Sequence, residues 1–308
     1  GHQVVVVVSA MAGETNRLLE LCHQIETQPS AREKDVLVTA GEQVTAALLS
    51  IALVSRGYSA LSFLADQLGL KTTSQFGKAR IEDIQAEQLR EQVEHGRIVV
   101  VAGFQGRDGE NNVTSLGRGG TDTSAVAIAA ALNADECQIF TDVNGVYSTD
   151  PRIEPNARLL PTVSFDEMLE LASLGAKVLQ KRSVELAGKY KVPMRVLSSF
   201  LDIDAVLKDH GALITYEESE LEGLLVTGIA ASKDETMIEL SFPCVSNLEG
   251  AKVLDALAQQ DIEIDMLSQK FLVNDDSNET RSMTDMTFTI HADESEKALY
   301  LLQQRFEK

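Results

Sequence analysis

The chain lacks tryptophan, and aromatic residues make up only 5% of its 308 positions, too few for the stacking platforms on which single-stranded nucleic acids are held. Cations are scarce too: 27 Lys and Arg stand against 47 Asp and Glu, a formal charge of −20 that repels phosphodiester backbones and anionic lipid alike. Cys22, Cys137 and Cys244 are odd in number and widely separated, which excludes a disulfide framework or a Cys-x-x-Cys zinc site and fits a reducing cytoplasm. Histidines 2, 23, 95, 210 and 291 form no His-x-x-x-His pair, so no His-ligated metal is expected. No Gly-x-Ser-x-Gly elbow or Gly-x-x-x-x-Gly-Lys-Ser/Thr loop occurs, which weakens serine-hydrolase and P-loop readings. No run reaches the ~18 to 20 consecutive apolar residues that span a bilayer, and no basic n-region precedes the first apolar segment, so nothing directs the chain to a membrane.

What is present is a 44% apolar chain, long enough at ~150 residues per domain for about two cored domains. Its first half alternates β-rich runs with helical stretches. The valines at 4–8 read as a buried strand, because β-branching favours extended backbone and both faces are apolar. Helical spacing follows over 15–25. The pattern repeats as a strand at 35–39 with a helix at 44–55, a strand at 98–102, and a small-residue helix at 124–132 leading to a strand at 138–143. Parallel strands joined by crossover helices are the economical reading, and ligands in such sheets sit beyond the carboxyl ends of the strands. Residues 165–190 read as helix and 193–198 as strand. After Ser199 the chain turns more acidic, and the remainder reads β-α-β-β-α, a ferredoxin-like plan without its last strand: strand 236–242, helix 250–259, strands 262–269 and 283–290, helix 295–306.

Four strand-to-helix junctions and one lysine carry candidate chemistry. In Leu116-Gly117-Arg118-Gly119-Gly120-Thr121-Asp122, glycines allow close backbone approach, a helix start offers N–H groups, and Arg118 adds a donor fork suited to a carboxylate or phosphate. The plainer reading is a flexible loop with Asp122 as helix cap. Thr39-Ala40-Gly41-Glu42 has the spacing of a capping box, in which Glu42 only reaches back to Thr39. After the valines, Ser9 and Thr15 offer hydroxyls to a ligand or to a cap. In 140–152, Asn144-Gly145 signals a tight turn and the plain reading is a β-hairpin. Tyr147, Arg152 and the strand-end Asp142 would alternatively clasp a nucleotide. Lys177 is a lone lysine in an apolar stretch, for which a solvated surface position is the ordinary explanation.

Taken in order, 4–16 (VVVVVSAMAGETN), 39–42 (TAGE), 116–123 (LGRGGTDT), 141–152 (TDVNGVYSTDPR) and 174–179 (LGAKVL) resemble the aspartokinase family over nearly the whole chain. The resemblance implies the amino-acid kinase fold, α/β with a mainly parallel sheet between helices, over residues 1–200. It further implies a linker and a strand toward a second ACT domain over 201–234, and a ferredoxin-like ACT regulatory domain over 235–308. The implied reaction converts MgATP and L-aspartate to 4-phospho-L-aspartate and ADP, the entry to lysine, threonine and methionine. By the same resemblance, Glu42 takes the α-amino group of aspartate and Arg118 a carboxylate, with Thr15, Gly119, Gly120 and Thr121 around them. Asp122 and Lys177 are the implied catalytic residues, Asp122 organising cations around the transferring phosphoryl. Ser9, Thr141, Asp142, Tyr147, Arg152, Lys177 and Val178 are the implied ATP contacts, with Mg²⁺ bridging phosphate oxygens. Ser246, Asn247, Leu248, Gly250 and Gln269 match the loop that closes over a lysine or threonine effector, and pairing of ACT domains implies a homodimer or larger assembly.

Two departures from the family accompany the match. Its opening Lys-Phe-Gly-Gly-Thr-Ser segment, whose lysine contacts ATP, does not precede Gly1, and its second ACT domain does not follow Lys308. A chain of this extent is expected to show little kinase activity until the first segment is restored. Acetylglutamate, glutamate 5- and carbamate kinases would share the sheet but not the 116–122 run joined to an ACT-like tail. A noncatalytic amino-acid-sensing subunit is the alternative from another class.

Overall fold

The computed structural model describes residues 2–176, 178–202, 204, 211–216, 226–243, 248–260, 262–274 and 281–306. The chain divides into two compact units, 1–231 and 232–308.

In the first unit, β1 (Val5–Val8) and β2 (Ala60–Phe63) flank the central β5 (Ile98–Ala102), all parallel, with Val8 opposite Ala102. Val99, Val100 and Val101 are fully buried, as a parallel strand covered on both faces requires. They share a core with Phe63, Leu68, Leu70, Leu89 and Ile128, where each buried aliphatic side chain contributes roughly 1.5–3 kcal/mol. A second sheet has β8 (Cys137–Thr141) parallel to β10 (Met194–Ser198), then β11 (Ala212–Thr215) antiparallel to β10 and parallel to β9 (Thr162–Ser164). Its core gathers Val126, Ile139, Phe165, Met168, Val184, Met194 and Ile214. Helix α5 (Gly120–Leu132) gives Val126 to this core and Ile128 to the first, which explains why its sequence is apolar all round. The remaining helices of the unit are α1 (Glu14–Ile25), α2 (Ala31–Val38), α3 (Ala40–Ser55), α4 (Glu87–Glu94), α6 (Phe165–Ser173) and α7 (Lys181–Tyr190). A small sheet runs in the order β4 (Ile81–Asp83), β3 (Lys71–Thr72), β6 (Gln105–Arg107), β7 (Val113–Ser115).

Four expectations change. Residues 35–39 are not a strand but the end of α2 and its cap: three apolar residues are too few for periodicity to separate helix from strand. The helix-forming Ala31, Arg32, Glu33 and Lys34 start the turn, and Thr39 Oγ1 donates back to the Asp35 carbonyl at 2.8 Å. The expected helix over 165–190 is two helices, because the chain leaves the helical path after Ser173, with Gly175 at φ +107°. Residues 212–215 are not linker but β11, and the unit runs on to 231. Residues 226–230 carry no strand; Ile229 donates its N–H to Ser148 at 2.7 Å within the first unit. Although Ala31–Ser55 is apolar and long enough to cross a membrane by length and composition, it breaks at Thr39. Its Asp35 and Glu42 are buried carboxylates bonded into this unit.

The second unit shows the β-α-β-β-α order: β12 (Glu235–Pro243), α8 (Leu248–Ala258), β13 (Ile264–Asn274), β14 (Arg281–His291) and α9 (Ser295–Phe306). The antiparallel sheet runs β12-β14-β13. Alternate residues Met286, Phe288 and Ile290 of the central β14 meet Val253 and Leu257 of α8 and Leu302 of α9 in the core.

Candidate active site

The carboxyl ends of β1 and β5 lie side by side, with the Gly103 N–H donating to the Val8 carbonyl at 3.1 Å. Thr121, in the first turn of α5, stands against Gly103: its Cγ2 is 2.8 Å from where a Cβ at residue 103 would lie. From the other side, the first turn of α3 brings Gly41 against Ala10, and Glu42 Oε1 accepts the Ala10 N–H at 3.1 Å. The capping box does not form; Thr39 caps α3 without a side-chain bond, and Glu42 reaches across to the loop after β1 instead. Glu42 is only 4% exposed, its Oε2 has no hydrogen-bond partner among the described residues, and burial raises its carboxyl above the ordinary value. Ser9 is exposed at the end of β1, and Thr15 is half-buried in the first turn of α1; Gly13, not either hydroxyl, caps that helix.

The turn from β7 into α5 is built from glycine by necessity. Gly117 (φ +78°) and Gly119 (φ +64°) adopt left-handed backbone; a Cβ at 117 would lie 2.8 Å from the Gly77 carbonyl, and one at 119 would collide with Gln180. Gly119 is the cap of α5, so Asp122 is not; it sits in the first helical turn, where burial pushes its carboxyl up to about 6. Arg118 is exposed between the two left-handed glycines.

Two charged residues that the sequence reading passed over hold this turn. Asp35 of α2 is fully buried and accepts from Ser115 N at 2.7 Å, Ser115 Oγ at 2.8 Å and Gly77 N at 2.9 Å. Arg182 of α7 donates to the Leu116 carbonyl at 2.7 Å and the Ala79 carbonyl at 3.0 Å.

The segment after β8 carries the next group of candidates. No hairpin closes at Asn144-Gly145; Tyr147 instead bridges Leu159, and Ser148 N and Leu160 N donate to the Arg158 and Val146 carbonyls, so the ribbon turns over 150–157. Asp150 starts that turn by accepting from Arg152 N at 2.9 Å, and its carboxylate pairs with the Arg152 guanidinium at 2.7 Å. Asp142 is exposed, accepts from Thr141 Oγ1 at 3.2 Å, and adds to the negative field that raises Arg152. Val178 packs its side chain on the second core, while Lys177 lies outside the described residues.

In the second unit, a Cβ at Gly250 of α8 would stand 3.5 Å from Gln269 Nε2 on β13, so two of the five expected effector residues adjoin. Leu248 opens α8, and Ser246 and Asn247 lie outside the described residues.

Residues 1–198 match the amino acid kinase family. The aspartate kinase of Pseudomonas putida is 50% identical over 98% of this chain and 71% of its own length. Two crystal structures share the fold: Escherichia coli aspartokinase III with aspartate and ADP (TM-score 0.74, 20% identity, 99% of this chain and 93% of that one), and the same enzyme with lysine and aspartate (TM-score 0.69, 24% identity, 97% and 76%). With half of its residues shared across nearly its whole length, and the strand ends and glycine turn arranged as described, the chain belongs to the aspartokinase family of amino acid kinases.

Proposed function

We propose that the first unit transfers the γ-phosphoryl group of ATP to the side-chain carboxylate of L-aspartate. A carboxylate oxygen attacks the γ-phosphorus, the bond to the bridging oxygen breaks, and ADP leaves with its electrons, giving 4-phospho-L-aspartate. The observation that carries this reading is Glu42: a buried carboxylate with one oxygen unpartnered is a receptor for the α-ammonium of an amino acid. Arg118, presented by the rigid glycine turn, suits the α-carboxylate, with Thr15 and Thr121 beside them. Thr141, Asp142, Tyr147 and Arg152 receive the nucleotide at the end of the second sheet, together with Ser9, Lys177 and Val178. Among the described residues no three His, Cys, Asp or Glu side chains gather into a metal site. Mg²⁺ would enter on the phosphates and lower their charge, with Asp122 the carboxylate read as organising the assembled cations. Catalysis by this chain's residues is then positioning and charge stabilisation.

The second unit reads as an ACT domain whose Ser246, Asn247, Leu248, Gly250 and Gln269 receive lysine or threonine, with the lysine complex of the E. coli enzyme in support. Feedback control of a cytoplasmic homodimer or larger assembly at the entry to lysine, threonine and methionine follows from that reading. Hydroxylamine trapping of aspartyl phosphate by the whole enzyme tests the chemistry. Trapping should require both ATP and L-aspartate and fall about 100-fold or more in Arg118→Ala, the scale of losing a charge-stabilising donor. A protein that binds lysine yet yields no hydroxamate would be a sensor, and the kinase reading would be lost.

A further inference from the structure

The geometry points to Asp35 and Arg182 as paired positioning residues that hold the Arg118 turn in its substrate-binding shape. This inference rests on the reading of Arg118 as an aspartate clamp. The segments 77–79 and 115–117 lie side by side, joined by the Ala79 N–H donating to the Ser115 carbonyl at 3.0 Å. Asp35 takes the two N–H groups of Gly77 and Ser115, and Arg182 gives to the two carbonyls of Ala79 and Leu116. Four main-chain groups on two segments are thus fixed by one anion and one cation, each from a different helix. The bonds are charge-assisted, and each of the two side chains bridges both segments, so neither can relax by moving one segment alone. Arg118 follows this clamped stretch after a single residue, Gly117, whose Cα faces the Gly77 carbonyl. Ordering the turn before substrate arrives removes an entropic cost that binding would otherwise bear. The sequence hides the arrangement because the partners are backbone groups 42 to 103 residues away.

A clamp that serves binding and one that serves only folding differ in what they move. The test compares the whole enzyme with Arg182→Met, Arg182→Lys, Asp35→Asn and Arg118→Ala, measuring KM for L-aspartate, KM for ATP, kcat and Tm. Arg182→Met and Asp35→Asn are expected to raise KM for aspartate about 10-fold while KM for ATP stays within about two-fold, the signature of a displaced substrate contact. Arg182→Lys, which keeps the charge but not the planar fork, should recover part of the loss. Amide exchange at 116–120 should quicken in the same variants. If Arg182→Met lowers Tm yet leaves the aspartate KM and the exchange at 116–120 unchanged, the positioning role is overturned. Should Arg118→Ala leave the aspartate KM untouched, the functional reading fails first. An affected Arg118→Ala beside unaffected Arg182 and Asp35 variants sinks this inference alone.

Discussion

The two mouths of the first unit are built to opposite standards. On the glycine-turn side, Gly117 and Gly119 sit in left-handed backbone, neighbouring segments would block any Cβ, and two buried or half-buried charges bond the main chain. On the 142–160 side, one β-bridge and a few main-chain bonds close a ribbon exposed over 151–156, and Arg152, with 81% of its side chain exposed, pairs with its near neighbour Asp150 at the surface. A small amino acid offers few atoms, so its receptor must be pre-formed to discriminate; a nucleotide offers many and tolerates a softer partner. The contrast can be broken from either end, and the larger effects should come from the rigid one.

The strongest blow is Gly119→Ala. Left-handed backbone at a residue with a side chain costs about 1–3 kcal/mol, and the added methyl also meets Gln180. Misplacing the turn by an ångström should lower kcat/KM for aspartate about 100-fold. Adding Gln180→Ala relieves the collision but not the backbone strain, so activity should return only in part. Full activity and an unchanged Tm in the single variant would show that the turn is not rigid.

Next is the charge at Asp122, whose folded value near 6 stands above its ordinary 3.8. The folded state therefore holds the proton more tightly than the unfolded chain, and stability falls as pH rises from about 4 to 6, by roughly 3 kcal/mol in all. Asp122→Asn removes that cost: at pH 7 it should unfold at a higher temperature than the parent, and the gain should vanish below pH 4. The same variant should trap little aspartyl phosphate. In the parent, kcat/KM should decline as pH drops through about 6, where the carboxylate takes up its proton. A variant destabilised at pH 7 would mean that the carboxylate is held by a favourable partner rather than by burial.

Why one mouth was legible from sequence and its supports were not follows from where their information lies. The valine strand, the small-residue helix and the glycine turn announce themselves because β-branching, all-round apolarity and left-handed backbone each restrict residue type locally. Glu42 was visible as a residue, but its spacing suggested a cap; only the fold shows that Ala10, 32 positions away, takes its place as partner. Asp35 was swallowed by a three-residue apolar run that reads equally as strand. Arg182 sits among ordinary helix formers, and its partners are carbonyls, which no side-chain pattern records. The second unit was read to within two residues of its element ends except at β13, which runs five residues past the expected 269 to Asn274; alternation along β14 and helical spacing in α8 and α9 are both local signals.

The smallest effect should fall on the soft side. Arg152→Ala removes a guanidinium that is solvent-exposed and paired with a carboxylate two residues away. Exposed pairs of this kind add little to stability, so Tm should not move. If the ribbon receives nucleotide, KM for ATP should rise only a few-fold, and added salt should shrink the difference between variant and parent, because screening weakens the same attraction in both. KM for aspartate should stay where it is. A large loss of aspartate affinity would mean that the two mouths are coupled rather than built separately, and the distinction between a rigid receptor and a soft one would have to be given up.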